Sequence, residues 1–192
     1  MSVWRDPELK ERLLTCIHEA GHTIAARHYG FRVAWVSIDP EFVINDPLAR
    51  RSGILFGYPT TMAMASERIR PILQRGHTCS AQERGIINGY LVQVLAGPAA
   101  EERKNNRFDP TLSAHDYEHA GAVAGRLAQT KMDRRKMIRA AMTEADRFVE
   151  QNDAMILHFA CRLYNAETIL EPQIDEAISE IIEELSKSQL AA

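Results

Sequence analysis

The chain has 192 residues, 45% of them apolar and 26% charged, with a formal net charge of −3. That length suits one domain with a sizeable core, and the composition is ordinary for a globular protein. The slight acidic balance argues against a nucleic-acid binder, which carries a basic surplus.

The first residues, Met1 to Asp6, are polar and charged, so no secretory leader is expected. Residues 7–29 read as one helix, with Asp6 as N-cap, Pro7 in the first turn, Leu13, Ile17, Ile24 and Ala25 near helical spacing, and Gly30 as the stop. Residues 32–38, rich in β-branched and aromatic side chains, read as a strand. Residues 40–52, with two prolines, read as loop. A second strand is expected over Gly53-Ile54-Leu55-Phe56-Gly57-Tyr58, ended by Pro59-Thr60-Thr61, with a short helix near 67–74. Beyond Ser80 the pattern is helical almost to the end. Helices are expected from Ser80 to about 104, from Ser113 onward with Asp116 in a capping-box-like place, and over 133–150, 153–163 and 172–186. Cys16, Cys79 and Cys161 form no CxxC pair and no disulfide framework. They imply reduced thiols in a cytoplasmic protein. No run of about 18 apolar residues occurs, so no membrane insertion is expected.

The sharpest chemical signal is His18-Glu19-Ala20-Gly21-His22, an H-E-x-x-H pattern inside the first expected helix. Residues four apart share a helix face, so both imidazoles can point at one ion. The adjacent Glu19 can take a proton from a metal-activated water, which makes it the candidate catalytic base. Gly21 is costly in mid-helix, by about 1 kcal/mol against Ala, and implies close packing or room for a site. Zinc is the ion that this ligand type favours. A catalytic zinc site needs a third protein ligand. His28, His77, His115, Asp116, Glu118, His119 and His158 are the candidates, and the cluster His115 to His119 is favoured because it opens a helix after a loop. Cys16, two residues before His18, should face the core.

His18 to His22, followed by Thr23-Ile24-Ala25-Ala26, resembles the zinc motif of the FtsH family, membrane-bound AAA+ proteases with a mostly helical peptidase domain. Leu95-Ala96-Gly97-Pro98-Ala99-Ala100-Glu101-Glu102 is similar to that family's L-x-G-x-A-A-E-E segment, and Ser113 to Ala120 to its G-A-x-x-D-L-x-x-A stretch. Residues 148–163 and Glu167-Thr168-Ile169-Leu170 resemble its closing helices and E-T-L segment. The resemblance implies a single mainly α (α+β) zincin-type peptidase domain over residues 1–192, with a small sheet beside the metal. It implies Asp116 as third zinc ligand, Glu101 or Glu102 as a partner orienting a histidine, and Ile54, Leu55, Phe56, Gly57 and Tyr58 as the strand that binds extended substrate. The chain departs from the family in having no G-x-x-x-x-G-K-[ST] loop, no membrane anchor and a longer insert before Ser80.

The expected activity is zinc-dependent hydrolysis of unfolded or flexible polypeptides, either by the chain alone or beside a separate ATPase unfoldase. A homo-oligomer is compatible with it. The alternatives are a zinc-binding regulatory module with weak or no activity and an adapter that borrows the fold. Glu19 argues against the regulatory module, because a purely structural site does not need the base.

Overall fold

The computed structural model describes residues 6–52, 58, 60–106 and 113–190. The first helix, α1 (Pro7–His28), begins at the expected cap. The Asp6 carboxylate accepts hydrogen bonds from the Glu8 and Leu9 N–H groups, and Pro7 has no N–H to satisfy there. The helix ends in a Schellman turn. The Phe31 N–H donates to Ala26 O at 2.8 Å and the Gly30 N–H to Arg27 O at 3.1 Å. Gly30 takes φ 73°, a left-handed conformation that favours glycine.

The turn launches β1 (Val33–Ser37), the middle strand of an antiparallel sheet ordered β2 (Thr60–Ala63), β1, β3 (Thr168–Leu170). Val36 pairs with Thr61 on one side and with Ile169 on the other. A register shift between Val33 and Trp35 breaks strict alternation. Val33 and Val36 therefore both join the main core, while Trp35 packs in a second, small cluster with Val43, Ala49 and Met62.

One expectation needs correction here, and a second falls largely outside the described residues. Residues 40–52 hold two short helices, α2 (Pro40–Asn45) and α3 (Pro47–Arg51), instead of a loop. Asp39 and Asp46 cap them, and each proline stands at the first helical position, so the prolines start helices there. The strand expected over residues 53–58 lies outside the described residues except for Tyr58, which is exposed and in no strand. The described strand is four residues long and covers Thr60 and Thr61, which the sequence reading treats as its end.

The remaining helices are α4 (Ser66–Arg75), α5 (Ala81–Asn105), α6 (Ala114–Leu127), α7 (Lys131–Gln151), α8 (Asp153–Ala166) and α9 (Glu171–Leu190). A capping box of Ser80 and Glu83 starts α5, and Asn106 ends it in the left-handed region. Ser113 precedes α6 but its side chain makes no capping bond, so the expected box with Asp116 does not form. On α5, Leu91 to Pro98 are eight consecutive buried residues, more than two full turns. A helix covered on every side is the centre of its fold. Accordingly α1 lies along α5, α7 packs on α5, and α8 covers α1. The chain is thus mainly helical with one small antiparallel sheet, as the sequence implies. Cys16, Cys79 and Cys161 are free thiols, and Cys16 is fully buried as expected. Among the described residues no helix is long and apolar enough to cross a membrane.

Candidate metal centre

One turn apart on α1, His18 and His22 face α5 and α6. Each Nδ1 meets an acceptor at 2.9 Å: Glu101 Oε2 for His18 and Gln93 O for His22. An acceptor at that nitrogen makes it the protonated one, so each neutral ring presents a lone pair at Nε2. The two Nε2 atoms are 3.0 Å apart. Asp116 closes the group, with Oδ2 3.2 Å from His18 Nε2 and Oδ1 3.7 Å from His22 Nε2. A tetrahedral ion with bonds of about 2.0–2.1 Å spaces its ligands by about 3.3 Å, within the spread of these separations. Three electron-pair donors around one point, with both imidazoles anchored from behind, fit a divalent metal ion.

The charges agree with that reading. Burial works against a protonated His18, yet hydrogen bonds to Asp116 and Glu101 lift it to about 10. Burial also opposes charge on His22, and the Asp116 carboxylate overrides it, raising that ring as well. Burial pushes the Asp116 carboxyl up, but the two imidazoles hold it well below the usual carboxylate range. The cluster thus favours positive charge at a part-buried position.

The support comes from a matched stride on two helices. Gln93, Gly97 and Glu101 follow one another at intervals of four on α5, opposite His18 and His22 at the same interval on α1. Gly97 makes room for the donor atom itself, since a Cβ there would lie 2.4 Å from His22 Nε2. Gly21 answers the expectation of close packing: a Cβ there would lie 2.5 Å from Ala96 O, so the helix backbones meet directly beside the site.

Between the histidines Glu19 is only 4% exposed. Its Oε2 accepts a hydrogen bond of 2.7 Å from the Thr61 hydroxyl on β2. Thr61 Oγ1 is also 3.0 Å from Glu19 O, and the Thr23 hydroxyl donates to that carbonyl at 2.9 Å. Glu19 is not one of the three converging donors.

No known family model matches the chain, and no curated protein matches it significantly.

Among the candidate third ligands only Asp116 meets both histidines. His119 is exposed, and its Nε2 lies 2.7 Å from the Tyr90 hydroxyl instead. His28 packs edge-on against Tyr29, and His158 stands 3.6 Å from Glu184. His77, His115 and Glu118 are exposed. Of the two glutamates weighed as orienting partners, Glu101 takes the role and Glu102 faces solvent. Ile54, Leu55, Phe56 and Gly57 lie outside the described residues. Sequence reasoning missed Gln93, Thr61 and the steric role of Gly97. The one available signal was the interval of four that joins Gly97 to Glu101.

Proposed function

We propose that the chain is a zinc-dependent metallopeptidase domain that hydrolyses peptide bonds in unfolded or flexible polypeptides. The observation that carries this reading is the convergence of His18 Nε2, His22 Nε2 and the Asp116 carboxylate beside a buried glutamate that ligates nothing. His18, His22 and Asp116 would hold the ion, and Glu101 and the Gln93 carbonyl would fix the ring orientations. When bound, zinc supplies a Lewis acid that makes water nucleophilic at neutral pH and polarises a carbonyl. Glu19 takes the proton that the attacking water loses and gives it to the nitrogen of the departing amine. The segments quoted above resemble the FtsH peptidase domain in the same order along the chain, and the mainly α fold with its small sheet is compatible with that resemblance. A separate unfoldase would extend the activity to folded substrates.

The test is metal analysis of the purified protein followed by casein cleavage with and without a chelator. One zinc per chain and chelator-sensitive cleavage are expected. His22→Ala should lose most of the metal. Glu19→Gln should keep the metal and lose about 10²–10⁴-fold in rate, the usual worth of a positioned base. Glu19→Gln cleaving as fast as the parent would overturn the assignment of the base. Full zinc occupancy without cleavage in any protein would favour a binding module.

A further inference from the structure

The geometry points to Thr61 as a positioning residue for Glu19, an inference that takes its catalytic meaning from the metallopeptidase reading. Thr61 is held on β2 by its pairing with Val36, so its hydroxyl approaches α1 from the sheet and not from the metal ligands' own helices. It donates to Glu19 Oε2 at 2.7 Å, the usual length of an O–H···O hydrogen bond. Among the described residues the other carboxylate oxygen, Oε1, accepts no hydrogen bond, and it is not among the buried unpartnered atoms. One oxygen is thus anchored, and the other is left for water.

The same hydroxyl has a second acceptor. Thr61 Oγ1 lies 3.0 Å from Glu19 O and 3.2 Å from the Thr23 hydroxyl. A hydroxyl carries one proton and two lone pairs, so it can donate to only one acceptor at a time. The carboxylate oxygen is the nearer acceptor, so Thr61 donates to Oε2 and the backbone carbonyl is left to the Thr23 hydroxyl. Thr61 thus ties the Glu19 side chain to the sheet without itself gaining or losing a proton.

Thr61→Val keeps the shape and removes the hydroxyl, while Thr61→Ser keeps the hydroxyl. In the zinc-loaded proteins Thr61→Val should lower kcat at least about tenfold with KM within about twofold and zinc content unchanged, the loss of one hydrogen bond to a charged group. Thr61→Ser should stay within about threefold of the parent. Crystal structures of the three metal-free proteins give a readout independent of activity. One carboxylate placement for Glu19 is expected in the parent and in Thr61→Ser, and more than one rotamer in Thr61→Val. An unchanged Glu19 in Thr61→Val overturns the proposal whatever the kinetics show. So does a Thr61→Val kcat equal to the parent's, or equal losses in the two variants. If the parent holds no zinc and cleaves nothing while Glu19 placement still depends on Thr61, the metallopeptidase reading fails and the positioning role stands.

Discussion

Glu101 Oε2 lies 2.9 Å from His18 Nδ1, across 83 positions of sequence. The carboxylate fixes the ring's tautomer and raises its basicity at the opposite nitrogen. Glu101→Gln keeps the shape and removes the charge. Zinc affinity should fall about 10–100-fold, the usual worth of such a partner. Competition against a coloured chelator measures it, and an unchanged affinity would show that the contact does not support binding.

Two glycines of α5 should respond in opposite ways to alanine. Gly97→Ala would set a methyl 2.4 Å from His22 Nε2, so the ring must move. The substitution should cost about 1–3 kcal/mol of stability and abolish tight zinc binding. A Cβ at Gly85 meets nothing within 4 Å. Gly85→Ala should stabilise the protein by about 0.5–1 kcal/mol with zinc affinity unchanged. Denaturant unfolding and zinc titration read both. Equal behaviour of the two variants would contradict the close approach at His22.

Asp116→Ala should weaken zinc binding strongly, whereas His115→Ala and His119→Ala should not. Asp116 faces both histidine nitrogens, and His119 is engaged with Tyr90. Tight zinc binding by Asp116→Ala, with loss in either histidine variant, would move the third ligand.

The metal-free protein should lose stability as pH rises. His18 is lifted from 6.5 to about 10 in the folded chain. A raised pKa contributes stability in full below about 6.5, and the contribution is lost as pH climbs through about 10. Asp116 has the opposite sign: held below its ordinary range, it contributes above that range and loses its effect as pH falls. The Tm of chelator-treated protein should therefore fall between about pH 7 and pH 10, and fall less in Asp116→Asn, which removes His18's partner. Zinc must displace the His18 proton, so calorimetry near pH 8 in two buffers should find at least about one proton released per ion. A flat Tm profile together with no proton release would show that His18 is neutral in the metal-free state.

The parts of the site legible in the sequence are those that depend on local spacing. His18, Glu19 and His22 lie within one turn of a helix whose cap, proline and stopping glycine are all sequence neighbours. Asp116 could be narrowed to a helix start by local chemistry, but choosing it over His115 and His119 needed the family-like segment. Thr61 was not legible. Its contact with Glu19 depends on the β1 register, and a four-residue strand has no pattern strong enough to fix its own ends. The short helices after Asp39 and Asp46 show a different failure. Proline marks a helix start as readily as a turn, and a preceding aspartate tips it toward the helix. Ser113 shows a third. A residue pair spaced for a capping box can have its carboxylate drawn away by a stronger partner, here two imidazoles.

The matched interval of four on α1 and α5 constrains chain length as well as residue identity. Successive helical positions differ by about 100° around the axis. Adding or removing one residue between Gln93 and Glu101 would leave every one of these side chains present and turn one anchor away from its histidine. This stretch of α5 should therefore tolerate no change in length.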